Sequence, residues 1–346
     1  MIITKRNKQE ENEERVVTGL HSFDHSFEGA SGNLGIPLRS IIELTGAHSI
    51  GKSTVAFSLA GIVAHALNRN ITLIDFERQN ADTLESCLNL AGFDGEVDWA
   101  SYIAEEQAKK KGDDSSEKIL DISTKKCYEK NPDVIVIDSI AAFTPTAMHE
   151  GELGDANMGI RAKTIKAWFL RTLKPLLSNA QPNAVFYTNH LYPVVGGFRP
   201  SMNSPVPMDS AGGTAVGYLS TQSVDLKKLF GFEYPDQGGW VLEGKIAKNR
   251  DGFGKESKKS FYIYLQAGEG INKNLTAVLD CYMYGLAKSS ATKITDSSTI
   301  TLDGQNMGKF RDLIASRHNN EIFLPFHNSL KSVVGGIKEV STTIGE

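Results

Sequence analysis

Apolar residues follow two rhythms along the first two thirds of the chain. Short continuous runs, Ser40-Ile-Ile-Glu-Leu-Thr45, Ile71-Thr-Leu-Ile-Asp75, Val134-Ile-Val-Ile-Asp138 and Ala184-Val-Phe-Tyr-Thr188, alternate with longer stretches in which apolar positions return every three or four residues. The runs are rich in β-branched residues and mostly uninterrupted, which predicts strands buried on both faces. The longer stretches predict helices at about 52–68, 82–90, 115–130 and 159–177. Strands alternating with helices imply an α/β fold with a mostly parallel, twisted sheet flanked by helices. After about Gly213 the chain becomes strand-rich, with runs at 223–227, 240–247 and 260–265. From about Asn272 the periodicity weakens and Ser and Thr rise, the mark of a small C-terminal appendage. The expected division is an N-terminal arm or oligomerisation segment (1–35), a core (36–272) and a small C-terminal domain (273–346). No internal repeat interrupts this reading.

Composition adds limits. With 346 residues, 40% of them hydrophobic, the chain can bury a large core. A formal net charge of −4 does not advertise a polyanion binder, so any such surface must come from local basic clusters. Cys87, Cys127 and Cys281 are scattered and form no C-x-x-C pair, a pattern of reduced thiols in a cytoplasmic setting rather than of a zinc site. No run of 18 apolar residues is present, and no membrane span is expected. Residues 1–15 are strongly charged without an apolar centre, which suits a partner-docking arm and not a secretory signal.

The chemistry concentrates after the first run. Gly46-Ala47-His48-Ser49-Ile50-Gly51-Lys52-Ser53, with Thr54 following, fits G-x-x-x-x-G-K-[ST] between a predicted strand and a predicted helix. Glycines let backbone N–H groups face a phosphate, and the helix turns its positive end to the same anion. Lys52 would reach the β- and γ-phosphates of ATP, and the Ser53 hydroxyl would ligate Mg²⁺. Asp138, at the end of a buried apolar run, has no core role and fits the second Mg²⁺-holding group. Asp75 and Glu77 close the neighbouring run, and either could polarise an attacking water.

At Asp138 a resemblance begins. Asp138-Ser-Ile-Ala-Ala-Phe-Thr-Pro145, then Glu150-Gly-Glu-Leu-Gly-Asp-Ala-Asn-Met-Gly159, closely resemble the bacterial RecA family of DNA strand-exchange recombinases, as do Val17-Thr-Gly-Leu20, Ala247-Lys-Asn-Arg250 and Gly268-Glu-Gly-Ile-Asn272. The resemblance spans about residues 16–280. It implies a P-loop ATPase core, self-association into a helical filament with ATP at the subunit interface, and a bacterial cytoplasmic protein. By position, Glu77 resembles the family's catalytic glutamate. Asn189-His190 resembles the segment that senses the γ-phosphate, although bacterial RecA has glutamine where His190 stands. An Asn-His pair also occurs in phage recombinases resembling UvsX, which fits a phage origin and activity during infection. Lys248 and Arg250 resemble the pair that reaches the neighbour's γ-phosphate, and residues i and i+2 of a strand share a side. After Glu77, Arg78-Gln-Asn-Ala-Asp82 lacks the family's tyrosine, and Asp82 matches its nucleoside-contacting aspartate only with a one-residue shift.

Two stretches, about 150–158 and 192–213, resemble the family's DNA loops. The first is acidic, so its implied tools are Met158 as a wedge between bases and backbone N–H groups, with Gly159 and Arg161 following. In the second, Val194, Val195, Phe198 and Arg199 are the implied contacts, with Gly212 and Gly213 permitting close approach. On a helical wheel, Lys163, Lys166, Arg171 and Lys174 share an arc of about 140° opposite Ile165, Trp168, Phe169, Leu173 and Leu176, which predicts one core face and one purely basic face. The implied function is ATP-dependent strand exchange: a filament on single-stranded DNA, pairing with homologous duplex DNA, and DNA-stimulated hydrolysis. A RecA-like ATPase that does not exchange strands, or a non-enzymatic DNA coat, would be expected to lack the two loops or the intact Lys52, Ser53, Asp138 and Glu77 set.

Overall fold

The computed structural model describes residues 14–30, 32–77, 79, 81–101, 116–145, 147, 159–193, 208–210, 220–234, 238–250, 260–291 and 294–333. The first elements are β1 (Arg15–Val16), α1 (His21–Ser26) and β2 (Ile36–Pro37). Next come β3 (Ser40–Gly46), α2 (Lys52–Leu67), β4 (Ile71–Asp75), α3 (Ala81–Ala91) and β5 (Val97–Ser101). They are followed by α4 (Ser116–Lys126), β6 (Val134–Asp138), α5 (Ile160–Ser178) and β7 (Ala184–Thr188). A short pair, β8 (Leu191–Pro193) and β9 (Met208–Ser210), precedes β10 (Gln222–Tyr234), β11 (Gly239–Asn249), β12 (Ser260–Gln266) and β13 (Gly270–Ile271). The remainder is α6 (Lys273–Met283), β14 (Ala287–Ser289), β15 (Thr299–Leu302), β16 (Gln305–Lys309), α7 (Phe310–Ala315) and α8 (Asn320–Val333).

Among the described residues, nine strands form one sheet in the order β13-β12-β11-β10-β3-β7-β6-β4-β5. From β10 to β5 every neighbouring pair is parallel, while β10 to β13 add an antiparallel wing. The apolar runs are mostly uninterrupted because both faces are covered. Ile42, Leu44, Leu73, Val136 and Phe186 join the core under α2 and α3. Ile41, Ile74, Ile135, Ile137 and Val185, one residue out of step, join Trp168 and Phe169 of α5 on the other face. Burying each large side chain contributes about 1.5–3 kcal/mol.

From Arg15 onward the segment expected as an arm is packed on the core. Arg15 Nη1 donates to Phe27 O (2.5 Å) and Gly35 O (3.0 Å), and Phe23 meets Phe261 edge-on at 5.0 Å. The chain beyond Asn272 contributes Leu275, Val278, Phe310, Phe323, Phe326 and Leu330 to a second apolar cluster, which it shares with Val241 of β11 and Tyr264 of β12. β14 and α7 are short, three and six residues, but α6 and α8 run to eleven and fourteen, so the expectation of weak periodicity missed two amphipathic helices. Asn272 caps α6 by accepting from Leu275 N at 2.9 Å.

Three expectations are corrected. The stretch at 192–213 is not wholly irregular: Leu191–Pro193 pairs antiparallel with Met208–Ser210. The helix expected to reach residue 130 stops at Lys126, where Lys126 turns to Asp133 at 3.1 Å. The outer face of α5 is not purely basic, because Leu170 and Leu177 lie on it, 53% and 56% exposed. The wheel compared the cations with the core residues and passed over these two leucines, which fall inside the cationic arc. The three cysteines are buried and unbridged. No helix among the described residues is long and apolar enough to cross a membrane.

Candidate nucleotide site

The Gly-rich turn joins the carboxyl end of β3 to the start of α2, at the sheet edge where parallel α/β folds bind ligands. Two glycines make the turn. A Cβ on Gly46 would stand 2.6 Å from Leu226 O, and one on Gly51, where φ is +98°, would stand 2.3 Å from Leu265 Cδ2. Ser49 is also left-handed, with φ of 57°. Such alternation turns successive N–H groups inward as an anion cradle. Trp240 Nε1 on β11 donates to Ile50 O at 3.0 Å and steadies the turn from outside. Lys52 Nζ donates to Ala47 O (2.9 Å) and Gly46 O (3.3 Å), so its ammonium sits within the cradle, 3.4 Å from His190 Nδ1. Burial lowers the Lys52 pKa, and the charges of Glu77 and Asp138 oppose that shift.

Asp138 ends β6 directly across from Asp75 on β4. The Thr188 hydroxyl donates to Oδ1 of Asp138, while Oδ2 is buried without a hydrogen-bond partner. Burial pushes the carboxyl up to about 7; the Thr188 and Ser53 hydroxyls hold it down and the Glu77 and Asp75 charges push it further up. A buried carboxylate oxygen lacking a donor, next to a serine hydroxyl, is an oxygen pair suited to a hard cation such as Mg²⁺.

Asp75 and Glu77, equivalent in the sequence, are different in the fold. Asp75 is fully buried and spent on its own loop: it accepts from Glu77 N (3.0 Å), Gln79 N (2.7 Å) and Trp99 Nε1 (3.3 Å). Phe76 N donates to Asp138 O at 2.7 Å and ties the loop to β6. Glu77 Oε1 therefore faces the open site, where it accepts from the Ser139 hydroxyl and stands 3.1 Å from His190 Nε2. The His190 and His48 rings lie 5.6 Å apart.

Behind this cluster runs a second set of bonds. Asn189 Nδ2 donates to Glu43 Oε1 (2.9 Å), and the Ser223 hydroxyl donates to Glu43 Oε2 (3.0 Å). Burial raises the Glu43 pKa. Lys248 is paired in register with Ser223, beside a bulge in β11, and Arg250 lies one residue past the strand, its N–H donating to Thr221 O at 3.2 Å. Burial, then Arg250, pushes Lys248 down to about 8, with Glu43 opposing. The fold therefore brings Lys52, Glu77, Asp138 and His190 together and sets Lys248 within the field of Glu43.

The sequence profile of the RecA N-terminal domain matches residues 2–250. The chain belongs to the RecA family. The RecA of Bifidobacterium longum (strain NCC 2705) is 26% identical over 332 residues, covering 95% of this chain and 75% of that one. The RecA of Arthrobacter sp. (strain FB24) is 28% identical over 307 residues, with 88% and 79% covered. The RecA of a Nitratiruptor species is 29% identical over 245 residues, with 70% and 64% covered. Membership makes this a recombination protein and sets it among the P-loop ATPases.

Of the residues implied as RecA-type DNA contacts, Met158, Val194, Val195, Phe198, Arg199, Gly212 and Gly213 lie outside the described residues. Gly159 precedes α5 and Lys163 is exposed on it, whereas Arg161 turns back and donates to Ala141 O at 3.2 Å. Arg171 meets Asp121 at 3.3 Å. Sequence reasoning passed over Glu43, Ser139, Thr188 and Trp240. Glu43 had a signal, a lone carboxylate inside the apolar run Ile41-Ile-Glu-Leu44; Trp240, nearly two hundred residues from Ile50, had none.

Proposed function

We propose that this chain hydrolyses ATP within a helical filament on single-stranded DNA and exchanges that strand with a homologous duplex. The reading is carried by one observation: Lys52, His190, Glu77 and Ser139 form a single hydrogen-bonded cluster at the mouth of the phosphate cradle. Lys52 neutralises the β- and γ-phosphates of ATP. Its present contacts to the carbonyls of Gly46 and Ala47 are what phosphate oxygens would replace. Ser53 and Asp138 would hold Mg²⁺, which neutralises phosphate charge when bound. Glu77 takes the proton of the attacking water, held in aim by Ser139 and His190. His190 touches both the base and the cradle lysine, so loss of the γ-phosphate changes its hydrogen bonding. Asn189, bonded to Glu43, carries that change toward Lys248, and Lys248 with Arg250 serves the neighbouring subunit's ATP. The DNA is held by the segments around Met158 and between Val194 and Gly213. In this reading residues 36–272 are the ATPase unit, 273–346 a small C-terminal domain, and the protein works in the bacterial cytoplasm.

Phosphate release and electron microscopy, each with and without ATP and single-stranded DNA, test this. DNA-stimulated hydrolysis together with ATP-dependent filaments is expected. Rings, or hydrolysis indifferent to DNA, would overturn strand exchange. Mixing the Lys52→Ala chain with the Lys248→Ala/Arg250→Ala chain tests action across the interface. Partial hydrolysis that neither shows alone is expected; none across all ratios, in filaments verified to be mixed, would put the cation pair in cis.

A further inference from the structure

A cleft that shares no residue with the cradle is walled by α1, α6 and α8. Its cavity of about 940 Å³ is lined from α1 by His21, from α6 by Lys273, and from α8 by His327 and Lys331. Arg317 and His318 stand at one rim, and Val17, Leu90 and Leu324 supply apolar wall. Among the described residues no aspartate or glutamate lines it, although the chain carries 41 acidic residues against 37 basic ones. The nearby acids stand behind the wall, where Asp24 acts on Lys273 and the others are held in hydrogen bonds. Glu269, behind the rim, holds Arg317 at 2.5 Å and His318 at 3.3 Å. Asp24 accepts from Thr18 N, the Thr18 hydroxyl and Gly19 N, and Asp280 accepts from Ser22 N and its hydroxyl.

Positive charge still converges there: Lys331 acts on His21, and Lys331 and Lys273 both act on His327. The His21 and His327 rings lie 6.2 Å apart, and His327 Nε2 is held 3.0 Å from Asn274 Oδ1. Burial, then His327, Lys331 and His25, drives His21 down to about 4; burial, then Lys331 and Lys273, lowers His327. Like charges converging on one concavity are unfavourable unless an anion enters it. The walls narrow the choice of anion. A DNA duplex is convex, evenly charged and without an apolar side chain to set against Leu324, which is 56% exposed. A peptide mixing carboxylates with an apolar residue satisfies both the cations and the apolar wall.

We propose that this cleft is a docking site for an acidic segment of a partner protein, one that carries aspartates or glutamates beside an apolar side chain. The proposal stands apart from the nucleotide site, whose residues it does not use.

The test is fluorescence anisotropy of the full chain with a labelled peptide of four aspartates followed by leucine and phenylalanine. Saturable binding is expected, weakened about tenfold or more by Lys331→Glu and by Leu324→Asp, and lost when asparagines replace the aspartates. Both substituted side chains are exposed, so the fold is expected to persist, checked by an unchanged thermal midpoint and unchanged ATP hydrolysis. No binding by the parent chain, equal binding of the asparagine peptide, or unaltered affinity in both variants would overturn the proposal. A short DNA duplex forms the second arm. Duplex affinity that falls in Lys331→Glu while the peptide does not bind would make the cleft a DNA surface and the proposal wrong.

Discussion

The molecule has two cation-lined concavities, and they differ in what lies opposite the cations. In the phosphate cradle, Lys52 feels Glu77 and Asp138, and His190 stands against Glu77 at 3.1 Å. In the cleft, His21, Lys273, His327 and Lys331 line a cavity with no acid on its wall among the described residues. In the proposed function the cradle's ligand is bound, cleaved and released, and the acids beside the lysine would moderate its grip and supply the base. In the cleft the acids stand behind the wall, Asp24 acting on Lys273 and Glu269 on Arg317 and His318, and none is placed to act as a base there, which suits attachment rather than turnover. Carboxylates on the wall of a cation pocket therefore suit chemistry, and carboxylates kept behind it suit docking.

The comparison breaks most visibly at the cradle. Lys52→Ala removes the charge that the phosphates meet, and hydrolysis is expected to fall about 10²–10³-fold or more, read as phosphate release under saturating ATP. Glu77→Gln keeps the shape and removes the base, with an expected loss of about 10²–10⁴-fold and retained ATP binding. Asp75→Asn should differ in kind. Its carboxylate accepts from two loop N–H groups, so the variant is expected to lower thermal stability, while nucleotide still binds the folded fraction. If Asp75→Asn instead gives stable protein that binds but does not hydrolyse ATP, and Glu77→Gln hydrolyses normally, the base has been misassigned.

How much of this was legible follows from sequence distance. The cradle was legible because Gly46 to Ser53 is continuous, and a loop of fixed length between strand and helix has few conformations. The alternate-face burial of Ile41 and Ile42, or Ile135 and Val136, was legible for the same local reason. From the residues alone Asp75 and Glu77 were not separable, and it was the family resemblance that favoured Glu77; what distinguishes them physically is a set of loop N–H donors that only the folded turn aims. The cleft was invisible: His21, Lys273, His327 and Lys331 come from three helices that no motif links. Leu170 and Leu177 show the converse failure, since their positions were available on the wheel and only the cations had been weighed.

A smaller effect separates the two concavities by pH. His21 titrates at about 4 in the folded chain against 6.5 for an ordinary histidine. The unfolded chain therefore binds the proton first as pH falls, and His21 subtracts stability between about pH 6.5 and 4; the native contribution is intact above 6.5. The expected loss on moving from pH 7 to 5 is about 1–2 kcal/mol. Asp24 and Asp280, which burial pushes up to about 7, tilt the other way, so the quantity to measure is the difference between parent and His21→Leu. Denaturant melts should show that difference moving in favour of the variant as pH drops. A difference that stays constant would mean that neither burial nor the neighbouring His327 and Lys331 depress His21.

The smallest effect has the most unusual sign. Glu269 lies behind the cleft rim and makes a two-point pair with Arg317, Nη2 to Oε1 at 2.5 Å and Nε to Oε2 at 3.2 Å, with His318 at 3.3 Å. The pair is partly exposed, so its loss should cost no more than about 1 kcal/mol of stability. Arg317 holds its carboxyl below the usual range, mainly through the hydrogen bond, which means the acid is ionised and cancels one unit of positive charge at the rim. Glu269→Gln keeps the volume and removes that unit. At the effective dielectric of a protein surface, one extra unit of charge several ångströms from a carboxylate is worth at most a few kcal/mol, and mobile salt screens it further. Removing an acid should therefore tighten the acidic peptide by about two- to fivefold at low salt, with the gain fading at high salt. Weaker binding in Glu269→Gln would mean that Glu269 matters by positioning Arg317 and not through its charge, and the cleft would then be recognising shape. Tighter binding, together with the losses expected for Lys331→Glu, would identify charge as what the cleft reads.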